Sequence, residues 1–477
     1  MVTPYVIGVF LVLLILYLWH VNNGLKHVPE EARKLSAPEW TDEQIRRTYR
    51  QVCENPIDFT AHLPPALQRR YVVVGGSGLV GGFIVLHLLA RGQPPESIRI
   101  VDFRKPVRTD LGRGNAKDVQ FAQADITSIE STTAAFEKPW PSKVASLPLT
   151  VFHTAAAIRP GERSISLINR VSKVNVTGTE NVMSAAKKVG ADILVATSSG
   201  SISIRPVNFW IPPWKKMPDN YVQVFKDPDQ DQNIRPHGAY FANYAMTKAQ
   251  AEDLVLKANE PSFRTGVIRP ACQVYGNRHD LCISFHMDRG KIESWIAHCT
   301  QNSVHAANIS LAHLLYEAAL AHPPPPSPTS TPPSGRAFAI TDPNPPPTFN
   351  SIYHLLEVLR RCQTTALPPI LMLLLAHGIE AYILTLHALP FLGRVLGLRE
   401  PTGLIALVQP GTMMSSCIHQ FASGAQAERA VEQGGLGYRG VCTTLEGMCM
   451  QVREFEVEGK GAGWDIGGTA LGIPAKK

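Results

Sequence analysis

Tyr71-Val72-Val73-Val74-Gly75-Gly76-Ser77-Gly78-Leu79-Val80-Gly81 is an apolar strand running into glycines spaced by three, and the helical pattern Phe83–Ala90 follows it. Gly75 permits the tight turn, Gly78 lets a pyrophosphate approach the backbone at the helix N-terminus, and Gly81 lets helix and strand pack closely. Leu79 and Val80 belong to the same cofactor-binding loop. A second strand, Ile98-Arg99-Ile100-Val101-Asp102, ends in an acid about twenty residues further on, where a ribose diol needs a hydrogen-bond acceptor. Asp102 would repel a 2′-phosphate, whereas Arg104 could attract one. The balance favours NAD, with NADP as the alternative.

Outward from this unit, strand-like runs alternate with helical patterns: Leu149–His153, Val176–Lys187, Ile193–Thr197, Tyr244–Leu256 and Thr265–Arg269. Such alternation predicts an α/β protein built on a doubly wound parallel (Rossmann) sheet. Pro323–Pro333 is a low-complexity break, read as a surface loop. Beyond it, Ala337–Ile340 reads as a strand and Phe349–Arg361 as a helix.

Asn243-Tyr244-Ala245-Met246-Thr247-Lys248 puts a phenol and an ammonium four apart on one helical face. A cation near a phenol favours the phenolate and brings a group that normally titrates near 10 toward use as a base. The strand Ile193–Thr197 ends in Ser198-Ser199-Gly200-Ser201, where a hydroxyl at the carboxyl edge of the sheet can bond a substrate oxygen. Ser199 is the expected residue, and Ser198 competes for the role.

Val6–Trp19 is apolar and free of charge, with nothing basic before it and no small-residue cleavage site after it, which predicts an uncleaved membrane anchor rather than a signal peptide. Lys26, His27, Arg33 and Lys34 follow it and place the remainder in the cytosol. The expected organisation is an anchor at 1–23, a stalk at 24–67, an NAD-binding domain at 68–276 and a smaller substrate lobe at 277–477. Within that lobe the apolar region 366–396 contains His377, Glu380, His387 and Arg394 and is bracketed by prolines. It reads as two short amphipathic helices lying on the bilayer or roofing an apolar pocket, or as ordinary core helices, rather than as a full span.

The formal net charge of +7 is scattered in short basic pairs, which excludes a nucleic-acid footprint. Eight cysteines form no CxxC pair and no spaced Cys/His set, so neither a metal site nor a disulfide framework is expected. The sequons at Asn175 and Asn308 fall inside predicted domain elements and should go unused.

Together these residues resemble the extended short-chain dehydrogenases, specifically the group of 3β-hydroxysteroid dehydrogenases and decarboxylating sterol-4α-carboxylate 3-dehydrogenases, with the long lead-in and the insert Phe209–Trp214 resembling a fungal branch. The resemblance includes Asp125-Ile126, which it implies meet the adenine, and His153-Thr154-Ala155-Ala156, in which Ala155 and Ala156 would line the cofactor. It continues through Asn175, Gly178-Thr179, Arg269-Pro270, Gly276, Asn308 and Gly435-Leu436-Gly437-Tyr438. Departures are Val74 before the first glycine, Ala306-Ala307 before Asn308, and the run Phe421–Val431. The resemblance implies that Tyr244 takes the proton of a sterol or triterpenoid 3-hydroxyl, Ser199 holds that oxygen, and Lys248 orients the nicotinamide ribose. It implies an endoplasmic-reticulum membrane enzyme in contact with lipid, working as a homodimer or within a complex of sterol enzymes. The alternatives are a dehydrogenase that also isomerises a Δ5 double bond, a nucleotide-sugar epimerase or dehydratase, and a non-enzymatic dinucleotide sensor.

Overall fold

Val72 and Val74 point to one side of their strand and Tyr71 and Val73 to the other, and all four are fully buried, so this strand needs cover on both faces. The computed structural model, which describes residues 2–225, 234–278, 280, 282–325 and 331–458, supplies it. Seven strands, β1 (Arg70–Val74), β2 (Ile98–Asp102), β3 (Gln120–Gln123), β4 (Leu149–His153), β5 (Ala191–Thr197), β6 (Arg264–Pro270) and β7 (Ala337–Ile340), form one sheet in the order β7-β6-β5-β4-β1-β2-β3. Every pairing is parallel. Tyr71, Val73, Phe152 and Val195 pack against the helices Leu79–Ala90 and Ala306–Ala321. Val72, Val74, Val151 and Leu194 pack against Ile129–Phe136, Gly178–Lys188 and Asn243–Lys257 on the other face. Strand order reverses between β1 and β4, so a crevice opens at their carboxyl ends, where Val74, Asp102, His153 and Thr197 lie.

The boundary expected at residue 276 does not divide the structure. β7 pairs with β6 in register Ala337↔Val267 to Ile340↔Pro270, and the helix Ala306–Ala321 lies on the glycine-loop helix, so both complete the sheet domain. Within that helix Glu317 is fully buried and takes hydrogen bonds from Arg91 (2.8 Å) and Thr150 (3.1 Å), which joins it to the end of the glycine-loop helix and to β4. Of the loop Pro323–Pro333, residues 326–330 lie outside the described residues.

The segment expected as a stalk lies against the body. Thr41 caps the helix Asp42–Glu54 (Gln44 N–H to Thr41 Oγ1, 3.2 Å), and Ile45 and Val52 on its apolar stripe are buried against Met448, Val452 and Phe455 of the helix Thr444–Glu458. An amphipathic helix must bury its stripe somewhere, and here a helix from the opposite end of the chain provides the surface.

Val2–Leu25 is one unbroken helix. Tyr5–Leu16 is exposed throughout, whereas Val21 and Leu25 are buried. Its docked end is held by Tyr221, whose hydroxyl donates to Leu25 O (2.6 Å), and by Asn22, whose side-chain oxygen accepts from Ile370 N–H (3.4 Å). The region 366–396 forms one 20-residue helix, Pro369–Ala388, and a short one, Pro390–Leu396, rather than two short helices, because its prolines stand at helix starts and none interrupts the longer run. Val2–Leu25 and Pro369–Ala388 are the two helices, among the described residues, long and apolar enough to cross a membrane.

Candidate active site

Gly75 has φ +81°, and a Cβ there would lie 2.6 Å from Ala155 N, so only glycine fits the turn out of β1. Gly78 stands at the N-terminus of the helix Leu79–Ala90, where Leu79 and Val80 form the first turn and their unpaired N–H groups face the crevice end of the dipole. A Cβ on Gly81 would collide with Gly75 O and with Thr154 Oγ1. This bare, positively polarised cradle fits a pyrophosphate. Asp102 stands at the end of β2, where Oδ2 accepts from Ser77 N–H (3.1 Å) and Oδ1 from Arg104 N–H (3.4 Å). Burial pushes its carboxyl above the usual range, and these backbone donors hold it down in part. The Arg104 guanidinium lies over the Phe103 ring at 4.7 Å.

Asp125 follows β3 on the surface and takes the Thr127 N–H (2.9 Å) and hydroxyl (2.8 Å), an arrangement that turns the chain and sends Ile126 under Gly178. Ala155 and Ala156 follow β4 at the crevice. The loop they begin is held by Asn175, which accepts from Ala157 N–H (2.8 Å) and donates to Ala157 O (3.1 Å) and Thr247 Oγ1 (3.1 Å). Asn175 sits in a π turn, Lys173–Thr177, within the helix that precedes β5, and the turn re-aims its side chain toward the tyrosine helix. Asn308 is fully buried and joins Asp342 (2.8 Å) to Cys442 O (3.0 Å), a structural hub. With both amides buried and bonded, neither asparagine offers a glycan acceptor.

Tyr244 and Lys248 lie in the helix Asn243–Lys257, and Ser199 caps the short helix that follows β5. The Ser199 hydroxyl beside the Tyr244 phenol draws its pKa down, but burial dominates and pushes it up to about 12. Ser199 donates to Ser201 Oγ at 2.8 Å, whereas the Ser198 hydroxyl is buried without a partner. The structure thus brings Ser199, rather than Ser198, to Tyr244. The Lys248 ammonium donates to Thr197 O at 2.7 Å, and burial lowers it to about 8, opposed by the Glu252 carboxylate one turn on. Glu252 in turn is held by Arg269, which explains the placement of Arg269-Pro270 on β6.

Three neighbours were not legible beforehand. Cys272 is buried beside Tyr244, and its proximity adds to the upward shift of the phenol. Arg108 braces the glycine loop by donating to Gly78 O (3.2 Å) and Leu79 O (2.8 Å) while paired with Asp110. Asn243 fastens the loop after β4 to the tyrosine helix, its N–H donating to Glu162 O (2.9 Å) and its side chain to Ser164 O (2.7 Å). Only Asn243, as the residue before Tyr244, carried any signal.

Next in sequence to Tyr244, Ala245 enters an apolar cluster with Val207, with Phe209 and Ile211 of the insert, with Leu373 of the helix Pro369–Ala388, and with Val21 and Leu25 of the N-terminal helix. A dinucleotide cradle and a phenol–serine pair thus lie at one edge of the sheet, with an apolar cluster beginning at the residue after the tyrosine.

Comparison with known proteins agrees with this geometry. The decarboxylating sterol-4-alpha-carboxylate 3-dehydrogenase of Saccharomyces cerevisiae is 29% identical over 287 residues, 57% of this chain and 71% of that protein. The Bos taurus protein of the same name is 28% identical over 313 residues, 63% of this chain and 72% of its own length. A UDP-glucose 4-epimerase structure from Thermotoga maritima, at 17% identity, covers 82% of this chain and 99% of its own with a TM-score of 0.52, a likeness of fold. Residues 72–367 match the 3-beta hydroxysteroid dehydrogenase/isomerase family, more than half of the chain. The chain belongs to that family and is an oxidoreductase that acts on a CH–OH group with a nicotinamide cofactor.

Proposed function

We propose that this enzyme uses NAD to oxidise the 3β-hydroxyl of a membrane-held sterol or triterpenoid that carries a carboxylate at C4, which then leaves as carbon dioxide. The observation that carries the reading is the Tyr244–Ser199 contact at the crevice beside the apolar cluster of Phe209, Ile211 and Leu373. That cluster suits a fused hydrocarbon ring system better than a sugar nucleotide. The relatives named for sterol-4-alpha-carboxylates support the C4 carboxylate.

Tyr244, as its phenolate, takes the proton of the hydroxyl, and Ser199 holds the oxygen through the same step. The cofactor would supply the hydride acceptor for C3 and a positive charge that favours the phenolate form of Tyr244. Gly75, Gly78, Leu79, Val80 and Gly81 hold its pyrophosphate, Asp102 its ribose diol, Asp125 and Ile126 the adenine side, and Ala155 and Ala156 the nicotinamide half. Lys248, fixed by Thr197 O, positions the nicotinamide ribose. The product is a β-keto acid. Its C4–carboxylate bond breaks with the electron pair passing to the ketone oxygen as an enolate, which then takes a proton. The helix Val2–Leu25 anchors the chain in the endoplasmic-reticulum membrane.

The test is turnover of a 4α-carboxy-3β-hydroxy sterol. NADH and carbon dioxide in equal amounts are expected, whereas turnover of UDP-glucose and no sterol would move the chain to the epimerase reading that its fold also permits.

A further inference from the structure

Residues 157–168 run from the cofactor edge of the crevice to the surface. Asn243, itself fully buried, clamps Glu162 O and Ser164 O, so this loop is tied to the residue before Tyr244. Between the two clamped carbonyls, Arg163 reaches outward and pairs fork to fork with Glu380 of the helix Pro369–Ala388 (Nε–Oε1 2.7 Å, Nη2–Oε2 2.8 Å). Seven positions on, Arg170 pairs in the same way with Glu400 (2.9 and 2.6 Å). Leu167 of the loop inserts against Ile379 and Ile383, a cluster of three buried side chains. The hairpin 369–400 closes on itself through Tyr382, whose hydroxyl donates to Arg399 O (3.0 Å). It is thus strapped to this loop by one ion pair and a small apolar contact, and to the helix Asn169–Ser172 that follows the loop by a second ion pair.

The other side of the hairpin is unpartnered and apolar: Leu371, Leu374, Leu375, Phe391, Val395 and Leu396 are exposed by 43 to 77%. Arg394 and Arg399 are exposed beside it. This surface adjoins the N-terminal helix, which packs against Pro369–Ala388 and exposes Tyr5–Leu16. Continuity with a membrane-length helix and cations for anionic headgroups both specify one occupant, a lipid bilayer.

We propose that the hairpin 369–400 is a bilayer-docking flap, and that the Arg163–Glu380 and Arg170–Glu400 pairs couple its docking to the loop beside Tyr244. Docked, the flap draws on these straps and opens a path from the bilayer to the site, so a sterol enters without crossing water. The inference rests on the sterol reading above and adds its route of entry.

The test uses the full chain in nanodiscs of phosphatidylcholine and phosphatidylserine, with a bilayer-dissolved sterol and a short water-soluble 3β-hydroxysteroid as paired substrates. Phe391→Glu with Val395→Glu should raise KM for the bilayer substrate by about tenfold or more and leave KM for the soluble one unchanged. Glu380→Gln with Glu400→Gln should raise kcat/KM for the soluble substrate several-fold and speed hydrogen exchange in residues 157–168. Equal effects on both substrates, or none, would overturn the proposal. Protection of residues 369–400 that grows with protein concentration in the absence of lipid would assign the surface to a second copy instead. If no steroid is turned over at all, lipid-dependent protection of 369–400 still decides whether the flap docks, separately from the failure of the sterol reading.

Discussion

Lys248 donates its ammonium proton to Thr197 O at 2.7 Å, immediately before the Ser198-Ser199 pair. The lysine therefore ties the tyrosine helix to the end of β5 and sets the distance between Tyr244 and Ser199. At the phenol itself burial dominates and leaves it at about 12.

Tyr244→Phe keeps the ring and removes the proton acceptor. NADH and carbon dioxide should both fall by roughly 100-fold or more, with NAD affinity nearly unchanged. Lys248→Met should be as damaging and should also weaken NAD binding. Parallel steady-state kinetics and cofactor titration check both, and carbon dioxide released without NADH would defeat the proposed order of steps.

Lys248 also sets a pH dependence of stability. Burial lowers it from an ordinary 10.5 to about 8. Between these values the unfolded chain binds the proton that the folded chain has lost, so this group makes stability rise with pH from about 8 to 10.5. Thermal unfolding of wild type and Lys248→Met at pH 7 and pH 10 should show that rise only in the wild type. The same slope in both would mean that the lysine is not desolvated.

Asp102→Ala should weaken NAD binding by about 1–3 kcal/mol and relax discrimination against NADP, since it removes an acceptor and a repulsive charge together. The carboxylate also holds Ser77 and Arg104, so a modest loss of melting temperature should accompany the change. Wild-type preference for NADP would show instead that Arg104 governs the site.

Asn175→Ala should cost about 1–3 kcal/mol of stability because it leaves buried groups of Ala157 and Thr247 unpartnered. It should also lower kcat, because the loop it holds meets the cofactor. A normal kcat at reduced stability would confine Asn175 to a structural role.

Truncation should separate the two halves of the first helix. Deleting residues 5–16 removes only exposed turns and should leave NAD binding and melting temperature intact while releasing the chain from membranes. Deletion through residue 25 also removes buried Val21 and Leu25 and should destabilise the apolar cluster by about 2–5 kcal/mol. Membrane association of the shorter truncation that survives carbonate would assign anchoring to the hairpin 369–400.

The glycine loop, the acid closing β2 and the Tyr244/Lys248 spacing were legible in the sequence because each is a local pattern set by the strand period of two and the helix period of 3.6. The same periods made β1, β2, β4, β5, β6 and β7 readable but not the short β3, and the apolar run Val6–Trp19 was legible as a long apolar helix. What tertiary structure alone decided are contacts between positions far apart in the chain, which no local period records. β7 returns to the sheet past the expected boundary, and Ile45 finds its cover in the helix Thr444–Glu458. Arg163 meets Glu380 across 217 residues, and Lys248 reaches Thr197. A side chain's spacing says which face it shares, but burial and the nearest unsatisfied acceptor decide where its charge goes.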